Sequence, residues 1–222
     1  MEEMVGRLRQ KARFRLKMLV VQLKRLKRFA LRVRKTAGHH PEITSSSGTS
    51  YAFGKQETLA LIEQMLPDRS TGILDVGPGR GKYGALLRER GYRSIDAVEI
   101  YGPYIESFGL STIYDKVHHM DVADFKYDFY DVVIFGDVLE HLTVKKAEAV
   151  IAYAKTHSTL IIVAVPYLLP QIGSQLDGSG DHRQPDLTRD LFLRRFPGFI
   201  LLTDNDQIGV FYLLTDRSRP QA

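Results

Sequence analysis

Two groups of residues have the types and spacing for chemistry. The first is Asp75-Val76-Gly77-Pro78-Gly79-Arg80-Gly81, followed twenty-four residues after Asp75 by a second acid, Glu99. Three glycines at every second position let a backbone come close to a ligand where a Cβ would collide. A carboxylate at Glu99 can accept both hydroxyls of a ribose. The second group is Asp137, Glu140 and His141, with His182 in a distant polar stretch. An imidazole with a pKa near 6.5 can take a proton from an oxygen or nitrogen at neutral pH. Asp137, His141 and His182 are therefore the expected catalytic residues.

These groups need elements to hold them. Apolar runs at about Gly72–Val76, Ser94–Ile100, Lys116–Met120, Asp131–Phe135 and Leu160–Val165 read as strands. Helical patterns fall between them, at about Lys82–Arg90, Pro103–Phe108 and Thr143–Thr156. A further helix, about Lys55–Leu66, precedes the first strand. After the fifth strand come a polar loop (about Tyr167–Leu187), a helix (about Thr188–Arg195) and two strands, about Ile200–Thr203 and Gly209–Leu214. Strands alternating with helices predict an α/β fold with a buried, mostly parallel sheet. The expected architecture is a Rossmann-like seven-stranded sheet with helices on both faces and a C-terminal antiparallel hairpin. Ligands of such sheets sit beyond the carboxyl ends of the strands. Those ends carry Asp75, Glu99, Asp121 and Asp137. Each acid alone could be a helix cap; four together favour ligand binding.

Strand, glycine turn, helix, strand and acid form the half-sheet that binds an adenosine ligand. Gly79-Arg80-Gly81-Lys82-Tyr83-Gly84 matches the G-x-G-x-x-G dinucleotide pattern, but in a shifted register. A dinucleotide needs its first glycine directly after the strand and a pyrophosphate at the helix start. Here Asp75, Gly77 and Pro78 intervene, and a carboxylate repels a pyrophosphate. S-adenosylmethionine has an ammonium, a sulfonium and no phosphate. The absence of G-K-[ST] excludes a P-loop.

With these residues in view, the chain resembles the class I S-adenosylmethionine-dependent methyltransferases over roughly residues 54–215. Asp75 to Gly81 is similar to their D/E-x-G-x-G-x-G loop. Glu99 falls at their ribose-binding acid, with Ile100 beside it. His119-Met120-Asp121-Val122 resembles the segment whose Asp bonds the adenine amino group. Asp137-Val138-Leu139-Glu140-His141 resembles the D-x-L-E-H segment after their fourth strand. The resemblance implies S-adenosylmethionine as cofactor, held by Asp75, Gly77, Gly79, Gly81, Glu99, Ile100, Asp121, Val122 and Asp137. Asp137, Glu140, His141 and His182 also resemble the E-x-x-E-H plus distant His set. That set binds a divalent metal in small-RNA 3′-end and ubiquinone-pathway O-methyltransferases. Asp stands here for the first Glu, and the second His lies in an unrelated-looking loop. No metal is therefore expected, and a histidine base is.

The loop after the fifth strand carries Gln171, Ser174, Gln175, Asp177, Asp181, His182, Arg183 and Gln184. Such a lining suits a small-molecule or glycan acceptor, if the loop is a lid rather than ordinary polar surface. A fold that binds the cofactor without turnover is the alternative, against which the intact loop and acids argue.

The 222 residues fit one domain plus an appendage, and 44% hydrophobic content supports an ordinary core. There is no cysteine, which excludes disulfides and thiolate metal sites. Residues 1–36 hold 13 Lys/Arg against 2 acids, net +11; residues 37–222 hold 18 against 24, net −6. Leu16, Leu19, Leu23, Leu26, Ala30 and Val33 form a helical stripe within that basic arm. An amphipathic helix over 1–36 and a Ser/Thr/Gly/Pro-rich linker over 37–53 are expected, followed by a methyltransferase domain over 54–222. A basic amphipathic helix suits an anionic membrane surface. An RNA- or DNA-binding arm, a coiled coil and a partner-protein contact remain alternatives. The first residues lack a secretory signal pattern, so a cytoplasmic protein, peripheral to the membrane, is expected.

Overall fold

The computed structural model describes residues 52–170 and 180–217. The chain divides between Pro41 and Glu42, and every described residue belongs to the second unit. The expected basic helix, and all of the expected linker but Ala52 and Phe53, lie outside the described residues.

Seven strands form one sheet in the order β3-β2-β1-β4-β5-β7-β6. They are β1 (Gly72–Val76), β2 (Ser94–Glu99), β3 (Lys116–His119), β4 (Tyr130–Gly136), β5 (Ser158–Pro166), β6 (Ile200–Asp204) and β7 (Ile208–Leu214). The pairings from β3 through β5 are parallel; β7 runs antiparallel to both β5 and β6. The expected hairpin is present, but it folds back so that β7, not β6, lies beside β5. Burial explains the order. Six of the seven β7 residues are buried, whereas Ile200 of β6 is 45% exposed. The strand that is apolar on both faces occupies the interior position.

Five helices are described: α1 (Lys55–Met65), α2 (Lys82–Glu89), α3 (Gly102–Ser107), α4 (Val144–His157) and α5 (Arg189–Arg195). Thr143 and Thr188 cap α4 and α5 by accepting from the Lys146 and Leu191 N–H groups. Lys155 and His157 end α4, where positive charge complements the helix dipole. Alternate strand residues face opposite sides of the sheet. Leu74, Val76, Val133, Phe135, Ile161, Val163, Phe211 and Leu213 pack with Ala147, Val150, Ile151 and Ala154 of α4 and Phe192 and Phe196. The opposite face meets α1 and α2. A Cβ on Gly54, just before α1, would lie 2.3 Å from Val210, and one on Gly136 would lie 2.9 Å from the Tyr83 ring of α2. Both layers converge on the carboxyl ends of β1, β2 and β4. No helix among the described residues is long and apolar enough to cross a membrane.

Candidate active site

The loop after β1 is built on left-handed backbone. Gly77, Gly79 and Gly81 have φ of 62°, 52° and 73°, a region that side chains with a Cβ rarely adopt. Space adds a second constraint: a Cβ on Gly77 would approach Val138 to 2.6 Å, and one on Gly81 would approach Ile113 to 2.6 Å. The Gly77 N–H donates to the Val98 carbonyl (2.9 Å), which ties the loop to β2. The Gly81 N–H donates to the Pro78 carbonyl (2.8 Å), closing the turn before α2.

Glu99, at the end of β2, is buried beside this loop. Its Oε1 accepts from the Tyr101 N–H at 2.8 Å and its Oε2 from the Gly79 N–H at 3.4 Å. Burial pushes its pKa up, against the pull of those N–H donors. Next to it Ile100 is 46% exposed, and Met120 at the end of β3 is also exposed. Two apolar side chains thus stand at the edge where an adenine ring would need flanking. The Asp121 Oδ1 accepts from the Ala123 N–H at 2.8 Å, and Oδ2 pairs with Lys146 of α4 at 3.0 Å. Val122 packs on the core beside it.

Asp75 behaves differently. The sequence sets it against a ligand's ammonium, but its side chain lies under the loop, 1% exposed. Its Oδ2 accepts from the Tyr114 hydroxyl at 2.6 Å, and that hydroxyl also accepts from the Gly84 N–H at 3.3 Å. The Tyr114 ring fills the space over Gly84, where a Cβ would come within 2.5 Å. Asp75 therefore braces the start of α2. Burial raises its pKa to about 6, although Tyr114 and Lys55 pull the other way.

Asp137 follows β4 with φ 58°, a left-handed conformation at a non-glycine residue. Strain of this kind clusters at functional sites. A 3₁₀ turn, Leu139–His141, comes next. The segment after β5 folds back onto this turn. The Arg183 and Gln184 N–H groups donate to the Glu140 carbonyl at 2.7 and 3.0 Å. The Gln184 side chain donates to the Leu139 and Leu142 carbonyls at 2.7 and 2.8 Å, while Arg195 donates to its Oε1. The sequence reads Gln184 as acceptor lining; buried and fully engaged, it is a clamp instead. Gln171, Ser174, Gln175 and Asp177 lie outside the described residues.

The clamp brings His182 onto His141, with ring centroids 4.7 Å apart and planes at 78°. The His141 Nδ1 lies 3.3 Å from the Asp181 carbonyl, and the His182 Nδ1 lies 2.6 Å from the Leu169 carbonyl. A carbonyl only accepts, so the His182 Nδ1 carries the hydrogen there, while the His141 ring meets a second carbonyl, that of Gly180. Burial is the first cause holding both rings neutral; it brings His141 down to about 4 and lowers His182 as well. The Glu140 side chain is 1% exposed, and neither of its oxygens has a hydrogen-bond partner among the described residues. Burial, then the charge of Asp137, pushes its pKa well up. Glu140, His141 and His182 offer one ligand atom each within 4.8 Å of one another.

A model of the methyltransferase domain family matches residues 51–166, more than half of the chain. The chain belongs to the class I S-adenosylmethionine-dependent methyltransferases. S-adenosylmethionine is the cofactor of the family, and the strand-end residues fit it. The methyltransferase also shares its fold with solved structures. The sugar N-methyltransferase KedS8 from Streptoalloteichus is similar over 81% of this chain and 100% of its own, at 12% identity and TM-score 0.54. The PH0226 protein from Pyrococcus horikoshii is similar over 72% and 89%, at 14% identity and TM-score 0.54. DesVI from Streptomyces venezuelae is 17% identical with TM-score 0.43. The methyltransferase covers only 50% of that chain, with 51% of its own length aligned. Identities this low speak to fold alone. No curated protein sequence matches significantly.

Proposed function

We propose that this methyltransferase moves the methyl group of S-adenosylmethionine to an oxygen or nitrogen of a hydroxyl-rich acceptor, such as a sugar or lipid-linked glycan. The supporting observation is the pairing, on one sheet edge, of the Gly77–Gly81 and Glu99 cradle with two histidines that touch each other and that burial keeps neutral. Glu99 takes the ribose hydroxyls, Ile100 flanks the adenine, and Asp121 with Val122 meets its amino edge. Asp137 takes the ammonium of the amino-acid tail, and Asp75 holds the loop that receives it. The transfer is an in-line displacement. The acceptor lone pair forms the new bond to the methyl carbon as the carbon–sulfur bond breaks, and those electrons stay on the sulfur as a neutral thioether. The acceptor proton passes to His141 or His182. Positioning and exclusion of water carry much of the catalysis.

The basic arm, net +11 over residues 1–36, supports action at the cytoplasmic surface of an anionic membrane. Two assays test this together. Methyl-labelled cofactor is supplied with a membrane glycolipid fraction and, separately, with total RNA. The full chain is also sedimented with phosphatidylglycerol vesicles, beside a variant with Lys24, Arg25, Lys27 and Arg28 changed to Gln. Label in glycolipid and vesicle binding weakened at least tenfold by the variant are expected. Label in RNA, with vesicle binding unchanged, would contradict the reading.

A second reading is favoured by Glu140. A buried carboxyl group whose oxygens have no hydrogen-bond partner among the described residues, beside two neutral imidazoles, suits a divalent cation. Glu140, His141 and His182 would hold it. When bound, it would supply a Lewis acid that orients acceptor oxygens and eases their deprotonation. Co²⁺ titration tests this. A visible absorption band lost in His182→Ala supports the reading. No band, with methyl transfer unchanged by chelator, leaves the histidine base alone.

A further inference from the structure

Two residues other than glycine have left-handed backbone among the described residues: Asp137 (φ 58°) and Leu168 (φ 48°). They follow neighbouring strands. β4 pairs with β5 up to Gly136 and Ala164, and the Asp137 N–H donates to the Ala164 carbonyl at 3.0 Å. Leu168 comes two residues after Pro166, which ends β5. It belongs to no motif and has no part in the cofactor cradle. Three contacts hold its backbone. The Tyr167 N–H donates to the Gln207 carbonyl at 2.7 Å, and the Leu168 N–H to the Leu187 carbonyl at 2.9 Å. The Leu169 carbonyl accepts from Nδ1 of His182 at 2.6 Å. The Tyr167 ring lies over Gly209 of β7. Leu168 is left 65% exposed, the most exposed large apolar side chain among the described residues. It adjoins the residue whose carbonyl orients His182.

A single exposed leucine is ordinary. One held exposed by strained backbone beside the expected base is not. In the left-handed region a Cβ crowds the following carbonyl, and Asn or Gly would make the same turn with less strain. The isobutyl group also gains nothing from water. Neither cost is offset inside the folded protein, and both are offset when a ligand covers the side chain. The neighbouring His182 and His141 mark that ligand as the methyl acceptor rather than the cofactor. We propose that Leu168 packs against an aliphatic chain of the acceptor. The inference rests on the histidine-base reading and narrows it. The acceptor is an amphiphile, with hydroxyls toward the histidines and a hydrocarbon group along Leu168, and not a free sugar.

The probes are methyl β-glucoside and octyl β-glucoside, the latter below its micelle-forming concentration. They share the sugar and differ only in the chain. Each is titrated into wild type, Leu168→Met and Leu168→Asn, all saturated with S-adenosylhomocysteine. Binding is followed through carbon-13-labelled leucine methyl groups, the Leu168 signal being the one missing from Leu168→Asn. Wild type is expected to bind the octyl probe about 10-fold tighter, the scale of covering one exposed leucine side chain. The Leu168 signal shifts as it binds. Leu168→Met retains the preference. Leu168→Asn loses it, while affinity for the methyl probe stays within about 3-fold and Tm is equal or higher, since Asn suits left-handed backbone. A merely structural leucine would lower Tm in Leu168→Asn and weaken both probes alike, which overturns the proposal. So does an octyl probe that leaves the Leu168 signal unmoved, or a preference that survives Leu168→Asn. Transfer of labelled methyl from S-adenosylmethionine to either probe reads the chemistry separately. An octyl probe that shifts Leu168 but takes no label contradicts the hydroxyl acceptor and upholds the Leu168 contact.

Discussion

Glu99→Ala is expected to weaken S-adenosylmethionine binding by about 100-fold. The carboxylate is buried at the end of β2, next to the glycine loop. Its Oε1 bond to the Tyr101 N–H is short, at 2.8 Å, and fixes the side chain. Its Oε2 bond to the Gly79 N–H is long, at 3.4 Å, so this oxygen retains capacity for a stronger donor. Two ribose hydroxyls are such donors. Hydrogen bonds to a charged group contribute about 1.5–3 kcal/mol each. Losing a pair at the lower end costs ~3 kcal/mol, about 100-fold in Kd. The substitution also strands two backbone N–H groups, so a drop in Tm of a few degrees accompanies it. Glu99→Gln separates the two effects: it keeps the shape and one acceptor, and should lose about 10-fold in affinity with little change in Tm. Calorimetry and thermal melts read both quantities.

The second large effect is on chemistry alone. His141→Ala is expected to slow methyl transfer by about 10²–10⁴-fold, the usual contribution of a positioned general base. Cofactor affinity stays within about 3-fold, because the Glu99 and glycine-loop contacts are elsewhere. Single-turnover transfer and calorimetry on the same protein measure the two numbers. His182→Ala is expected to fall in the same direction, since the rings sit 4.7 Å apart. If both variants keep the wild-type rate with an identified acceptor, neither imidazole takes the proton.

What the sequence revealed follows distance along the chain. The glycine loop was legible because its requirements are local: left-handed φ at Gly77, Gly79 and Gly81 admits few other residues. The strand-end acids were legible because periodicity fixes where strands stop. Their individual duties were not. Asp75 is answered by Tyr114, thirty-nine residues on, and that pairing turns an apparent ligand contact into a brace. Gln184 reads as polar loop, yet it bonds carbonyls forty-two and forty-five residues back and so seats His182 on His141. Leu168 gave no signal, because its left-handed backbone depends on Gln207, Leu187 and His182 arriving from elsewhere in the chain. The order β5-β7-β6 follows from which strand is apolar on both faces. A hairpin pattern alone does not carry that information.

The most direct test of the central claim is calorimetric titration of wild type with S-adenosylmethionine and, separately, NADH. The glycine loop, Asp75 and Glu99 predict micromolar binding of S-adenosylmethionine and none of NADH. Binding of NADH without S-adenosylmethionine would contradict the account, and would make Gly79–Gly84 a dinucleotide loop after all.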